Sequence, residues 1–162
     1  MKGAVLERGE EYYTDLAKVF KAINNIHTEF NWLITDTCAY PMDEKINDLL
    51  SRDYLFLSGS ELDEIVNSED FQLIWGVLSG FKKEVSLEEI MKYDLPYGDG
   101  NGELWKNPVS IQHPLAEIEI ISWDGDKALI ISKDEKIVND FRKSFSLSED
   151  LEIYNESLEK NT

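Results

Sequence analysis

The chain has one cysteine, no long apolar run and few basic residues, and each shortage excludes a class of protein. Cys38 cannot form an internal disulfide, and no second cysteine or histidine stands at the spacing of a metal site. No apolar run approaches the roughly 18 residues of a membrane helix, and the first residues lack the apolar segment of a secretory signal. We therefore expect a cytoplasmic protein that makes no contact with a membrane.

The shortage of basic residues is the strongest signal in the composition. Lys and Arg number 16 against 33 Asp and Glu in 162 residues, a formal net charge of -17. This balance argues against a nucleic-acid partner, because basic patches supply most of the affinity for phosphates. The apolar fraction is 42%, with 4 Trp, 7 Tyr and 7 Phe, which is typical of a chain with a core rather than of an acidic disordered segment. We expect a folded protein with an acidic surface and a basic partner.

Strand-like and helix-like patterns alternate along the chain. Apolar or alternating runs predict strands at residues 2–7, 30–35, 53–57, 71–81 (the predicted central strand), 115–123 and 127–132, with a short edge strand at 151–154. Helical periodicity predicts helices at residues 10–24, 43–51, 61–67, 86–93 and 134–145. Ser60, Ser86 and Asp134 are predicted N-caps, with Ser86 and Glu89 in the arrangement of a capping box, and Asp124-Gly125 predicts a β-hairpin turn.

This alternation predicts an α+β fold in a single two-layer domain over residues 1–155. A mixed or antiparallel central sheet of about five to seven strands would carry helices packed against it. The C-terminal β-hairpin would be followed by a helix, and residues 156–162 would form a polar C-terminal tail. No linker divides the chain into two domains.

The glycine-rich segment 94–114 resembles none of the established ligand loops. Glu103 stands where a phosphate-binding loop needs lysine, and Leu104 stands where a calcium loop needs glycine. A simple cation site on Asp99, Asn101 and Glu103 is less favoured than an ordinary loop of turns. No catalytic residue and no cofactor or metal site is predicted.

The two histidines give no catalytic signal either. His27 and His113 lie apart from cysteine and from each other, so both are predicted at the surface or capping a turn. No serine-nucleophile motif is present, and with so many carboxylates any acid–base pair chosen by sequence alone is uninformative.

The acidic residues concentrate in the middle of the chain. Residues 36–103 hold 16 acidic and five basic residues, a net charge of -11. One interpretation is that these residues form a solvated surface that keeps the protein soluble. The other interpretation is a surface that steers a basic protein into contact, with Trp105, Tyr97 and Tyr40 as exposed aromatic anchors at its loops. The predicted partner-binding residues are Asp43, Glu44, Asp48, Glu61, Asp63, Glu64, Asp94, Tyr97, Asp99, Glu103 and Trp105.

The order of FNWLITD, DYLFL, FQLIWGVLSGF and EIEIISWDGDKALIISKDEKIVNDF resembles that of an uncharacterised family of small acidic proteins from Gram-positive bacteria. The resemblance covers about residues 1–155 and transfers no catalytic residue. By type, the chain also looks like the immunity proteins of bacterial polymorphic toxin systems, which inhibit a toxin by direct binding.

Three functions follow as hypotheses. The first is a non-enzymatic immunity protein that neutralises a basic toxin domain through its acidic surface. The second is a DNA mimic whose regularly spaced carboxylates occupy a nucleic-acid enzyme. The third is a small-ligand or enzymatic domain that uses loop 94–114 as a lid over a pocket beneath Trp105. The oligomeric state is left open.

Overall fold

A computed structural model describes residues 1–162 as an α+β domain built on one seven-stranded sheet in which all neighbouring strands are antiparallel. The strands are β1 (Lys2–Leu6), β2 (Phe30–Ala39), β3 (Tyr54–Ser58), β4 (Leu73–Lys82), β5 (Ile118–Trp123), β6 (Lys127–Ser132) and β7 (Glu149–Asp150). Their order across the sheet is β3-β2-β4-β5-β6-β1-β7. The predicted α+β class with a single antiparallel sheet is confirmed, but segments packed on both faces of the sheet make three layers rather than the predicted two.

Six helices complete the fold. They are α1 (Leu16–Ala22), α2 (Glu44–Leu50), α3 (Gly59–Ser68), α4 (Leu87–Ile90), α5 (Glu135–Ser144) and α6 (Leu151–Lys160). Short 3-10 helices lie at Ile26–Glu29 and Gly102–Trp105. No helix has the length and apolar character needed to cross a bilayer.

Both faces of the sheet are covered because side chains alternate along each strand. On one face, Trp32, Ile34 and Leu78 belong to the larger core, which is closed by α1, α2, α3 and α5. On the other, Leu33 and Val77 belong to a smaller core closed by α4, the segment up to residue 116 and α6. Segment 94–114 is therefore a structural cover of the sheet as well as a loop.

The predicted hairpin is confirmed. Strands β5 and β6 pair from Ile118 opposite Ser132 to Trp123 opposite Lys127. Asp124 and Gly125 both have positive φ, 51° and 67°, as a type I′ turn requires. The helix after the hairpin begins at the predicted cap, where Asp134 accepts a hydrogen bond from the Lys136 N–H at 2.9 Å.

Several predicted elements are wrong in extent or type. Helix α1 begins at Leu16, six residues after the predicted start, because Asp15 caps it and the preceding residues are irregular. Strand β4 lies third in the sheet, so the central strand is β5. The predicted edge strand at 151–154 is the first part of α6; the actual edge strand β7 is the two residues before it. Residues 156–160 of the predicted tail continue that helix, which Asp150 caps.

Candidate functional site

Helices α2 and α3 flank the edge strand β3 in sequence and pack on β2 and β3. They place Asp43, Glu44, Asp48, Glu61, Asp63 and Glu64 near the β3 edge of the sheet. We call residues 43–70, which comprise α2, β3, α3 and their connections, the acidic edge. The structure thus brings six of the predicted residues into one region.

Local hydrogen bonds build the acidic edge. The Asp43 carboxylate caps α2, accepting from the Lys45 N–H at 2.8 Å and the Ile46 N–H at 3.1 Å. Glu69, just after α3, accepts from the backbone N–H groups of Met42 at 3.0 Å and Asp43 at 2.9 Å. These bonds fasten the start of α2 to the end of α3, so the two helices present their carboxylates from one fixed unit.

Most carboxylates of the acidic edge have no cationic partner. Glu44, Asp48 and Glu64 are exposed, and no basic group lies within 4 Å of them. The apolar residues of the same helices, such as Ile46 and Leu62, are buried in the larger core. The helices therefore turn one face to the core and leave an uncompensated negative charge outside.

Asp63 differs from its neighbours because it binds a buried histidine. The His27 Nε2 lies 2.8 Å from the Asp63 Oδ1, and the His27 ring stacks on Phe20 at 3.9 Å. Burial lowers the pKa of His27, and the hydrogen bond and charge of Asp63 oppose that shift. The prediction of a surface histidine is wrong here: His27 is fully buried, and it anchors α3 to the 3-10 helix.

Exposed apolar side chains stand beside the unpaired carboxylates. Tyr40 is 77% exposed and Met42 is 90% exposed, immediately before α2. The exposure predicted for Tyr40 is confirmed. A groove of about 370 Å³ adjoins this region, lined by Tyr12, Asp15, Asp70, Phe71 and Gln72. The arrangement combines negative charge with large apolar side chains that nothing in the chain covers.

Part of loop 94–114 reaches the same edge of the sheet. Asp36, which has a φ of 52°, accepts hydrogen bonds on its Oδ2 from the N–H groups of Gly98 at 2.8 Å and Asp99 at 3.0 Å. Tyr97 is 50% exposed and lines a polar groove of about 410 Å³ with Arg52 and Asp53. Tyr97 and Asp99 therefore lie next to the acidic edge, although on the other side of the sheet.

The remaining predicted residues lie apart. Asp94 is exposed, and Glu103 forms an exposed ion pair with Lys106. Trp105 is half-buried: it packs edge-on against Trp123 at 5.0 Å and tilted against Tyr154 at 5.8 Å. The prediction of Trp105 as an exposed anchor is wrong, because these aromatic rings and the smaller core fill the space around it.

The residues considered for a cation site serve the loop instead. The buried Asn101 donates to the Tyr97 carbonyl and to Gln112 Oε1, both at 3.0 Å, and its own oxygen accepts from the Glu103 N–H at 3.1 Å. No group of three or more His, Cys, Asp or Glu side chains is arranged to hold a metal ion. All the polar atoms of the Asn101 side chain are thus used to shape the loop.

Sequence reasoning missed Glu119. Its side chain is fully buried in the central strand β5, where it accepts from the Gln112 N–H at 3.1 Å and from the Gln112 Nε2 at 3.2 Å. Burial raises the pKa of Glu119 to about 7, against the opposing effect of these bonds. Strict alternation in EIEIISW could have indicated that Glu119 shares a face with Ile121 and Trp123. The carboxylate holds loop 94–114 to the sheet, since Gln112 also accepts from the Tyr97 N–H.

His113 was predicted at the surface or capping a turn, and only the capping part is confirmed. The ring is buried, its Nε2 lies 2.9 Å from the Ile90 carbonyl, and its Nδ1 accepts from the Leu115 N–H at 3.1 Å. Both ring nitrogens are used within the fold. His113 therefore fixes the end of α4 to the end of the loop.

Comparison with known proteins gives a family without a function. A family model described as "Protein of unknown function (DUF2691)" matches residues 1–97. That span includes the whole acidic edge. No curated protein and no solved structure matches the chain.

Proposed function

The chain belongs to the DUF2691 family of proteins of unknown function, and we propose that it is a non-enzymatic binding protein whose acidic edge captures a basic protein. The observation that carries this proposal is the set of exposed carboxylates without cationic partners on α2 and α3, beside the exposed Tyr40 and Met42. A basic partner would neutralise the carboxylates, and the apolar side chains would gain cover.

Charge would act mainly on the rate of encounter. A surface potential of one sign attracts a partner of the opposite sign and raises the association rate, which then falls as salt rises. Affinity would come from a few apolar groups that become buried, since exposed ion pairs contribute little. Tyr40 and Met42 are suited to that role because both are largely exposed in the isolated chain.

The partner class we favour is a toxin domain, which makes the chain an immunity protein. An inhibitor of this kind needs no catalytic centre, and its two histidines and its buried Glu119 all serve internal contacts. The supporting features are the acidic edge and a fold held rigid at that edge by the Glu69 and Asp63 bonds. A rigid surface loses little conformational entropy on binding.

The experiment that tests the proposal is co-expression with the product of the neighbouring gene in a bacterial host. We expect that product to arrest growth when expressed alone, and this chain to restore growth. The purified pair should form a complex of fixed stoichiometry whose association slows at high salt. Growth arrest that persists during co-expression, with no complex at low salt, would refute the immunity function.

A further inference from the structure

The two edges of the sheet differ in a way that points to an interaction site. At one edge, β7 is only two residues long, and both are acidic residues in ion pairs, Glu149 with Arg8 and Asp150 with Arg142. Short, charged edge strands of this kind discourage pairing with another chain. The β7 edge is therefore protected.

The other edge has no such protection. Strand β3 runs for five residues, YLFLS, without a charge, a proline or a bulge in its pairing with β2. Helices α2 and α3 pack against one face of β3, and no strand lies on the side of β3 opposite β2. An uncharged edge strand of this length is a template for a further strand.

The hydrogen-bond register shows which backbone groups of β3 are free. In an antiparallel sheet, the N–H and C=O of one residue point to the same side, and the side alternates along the strand. The Gly80 carbonyl accepts from the Glu117 N–H, so the backbone groups of Gly80 point toward β5 and away from β2. Trp32, the β2 residue opposite Gly80, therefore directs its N–H and C=O toward β3, where it bonds with Leu57. Leu55 and Leu57 therefore bond inward, and Tyr54 and Phe56 direct their N–H and C=O groups away from the sheet.

A groove runs along this free side. It has a volume of about 450 Å³ and is lined by Arg52, Asp53, Tyr54, Leu55, Phe56 and Leu87. Arg52 and Asp53 lie together at one end, and the rest of the lining is largely apolar. Residues directly opposite each other in a sheet project to the same face, so residues paired with Tyr54 and Phe56 would place their side chains in this groove.

The opposite face of an added strand would meet a different environment. There, alternate side chains would project toward the face on which α2 and α3 lie, with the unpaired carboxylates of Glu44, Asp48 and Glu64. Apolar side chains suit one face and basic side chains suit the other. A second copy of this chain does not fit, because two surfaces with the same excess of carboxylates would repel each other.

We propose that β3 binds an extended segment of the partner as an eighth strand, with alternating apolar and basic side chains. This inference rests on the proposed function, because it assumes a basic partner and specifies how that partner is held. Main-chain hydrogen bonds to Tyr54 and Phe56 would fix the segment, the groove would take its apolar side chains, and the acidic edge would take its basic ones.

The test uses a short fluorescent peptide of alternating lysine and valine, titrated into the full chain at low salt. Two forms of the peptide differ only in N-methylation, on the valines or on the lysines. Valines opposite Tyr54 and Phe56 direct their N–H groups at β3, whereas the lysines direct theirs away. Loss of two hydrogen bonds predicts that valine methylation weakens binding about tenfold or more, while lysine methylation leaves it within about threefold.

Protein variants provide the matching control. Tyr54→Lys places a charge on the free edge, and Ile153→Lys adds the same charge on the exposed side of α6 at the other end of the sheet. We expect only Tyr54→Lys to weaken peptide binding by about tenfold. Because a folding defect would give the same loss, the Tyr54 and Phe56 amides of the unaltered chain are also followed by hydrogen exchange, and the peptide should protect both.

The outcomes separate this inference from the proposed function. Equal, salt-sensitive binding of both methylated peptides, with no protection of the Tyr54 amide, would overturn strand addition and leave a purely electrostatic acidic edge. No binding of the unmodified peptide would also overturn it, while growth rescue by the full chain would still support the immunity function. Protection of the Tyr54 amide without peptide, in a dimer seen by light scattering, would show that a second copy occupies the edge.

Discussion

At the scale of single residues, the most consequential side chain is the buried Glu119. It lies at the centre of the sheet, opposite Ser79 on β4, whose Oγ is buried without a hydrogen-bond partner. The only polar groups bonded to the Glu119 carboxylate come from Gln112. A carboxyl group in these surroundings is costly to ionise, because burial removes it from water.

The raised pKa of Glu119 predicts a pH-dependent stability. The pKa of about 7 in the folded protein lies above the ordinary value of 4.5. Between these two pH values the folded protein keeps the Glu119 proton, whereas the unfolded chain loses it. The contribution of Glu119 to the free energy of unfolding is fully present below pH 4.5. It is lost as pH rises to about 7, a change on the order of 3 kcal/mol.

Glu119→Gln should remove this slope. Urea unfolding at a series of pH values is the measurement, with Glu156→Gln on the exposed side of α6 as the control. The slope is the diagnostic quantity, because a glutamine amide cannot accept both bonds from Gln112 and so shifts the baseline as well. His27, whose pKa is lowered, contributes with the opposite sign in both proteins, so the diagnostic quantity is a fall in stability as pH rises. A fall of the free energy of unfolding between pH 4.5 and 7 that survives in Glu119→Gln would contradict the assignment.

At the scale of elements, patterns that depend on neighbouring residues were predictable. The capping box of Ser86 and Glu89, the Asp134 cap and the Asp124-Gly125 turn are all present as predicted. Each depends on residues within a few positions of one another, where backbone preferences and side-chain bonds act locally. The six predicted residues on α2 and α3 also meet near the β3 edge of the sheet, because each helix was correctly located.

The incorrect predictions concern features that depend on contacts between residues far apart in the sequence. Ser60 was the predicted cap of α3, but Ser58 is the actual one, since Gly59 is buried against the backbone of residues 27–30 and draws the helix start toward it. The His27 and His113 bonds join residues 36 and 23 positions apart. The Glu119 bonds depend on a loop whose path no local pattern indicates.

The two serines before α3 give a direct test of the helix start. Ser58 accepts from the Glu61 N–H at 3.1 Å, and the Glu61 carboxylate accepts from the Ser58 N–H at 3.4 Å. Ser58→Ala should therefore lower the free energy of unfolding by about 1 kcal/mol. Ser60→Ala, at an exposed position in the first turn of α3, should change it by less than about 0.5 kcal/mol in urea unfolding. A larger cost for Ser60→Ala would restore the sequence-based helix start.

At the scale of the whole molecule, the net charge of -17 is a cost to the folded state. Ion pairs relieve that cost on parts of the surface, for example where Lys82 and Lys133 lie within 4 Å of Glu117. The acidic edge has few ion pairs that would reduce its charge repulsion. A basic partner would remove the repulsion that remains there, so the uneven distribution of pairing, rather than the total charge, indicates where binding should occur.

The measurement that tests this account most directly is the association rate with the purified basic partner, followed by stopped flow as salt is varied. One variant carries Glu44→Gln, Asp48→Asn and Glu64→Gln, which are exposed and cap no helix; its control carries Glu152→Gln, Glu156→Gln and Glu159→Gln on α6. Both lose three charges. The account predicts association about tenfold slower and less salt-sensitive for the first variant, and within about twofold of the unaltered chain for the second. Equal slowing of both would show that total charge, and not the acidic edge, governs binding.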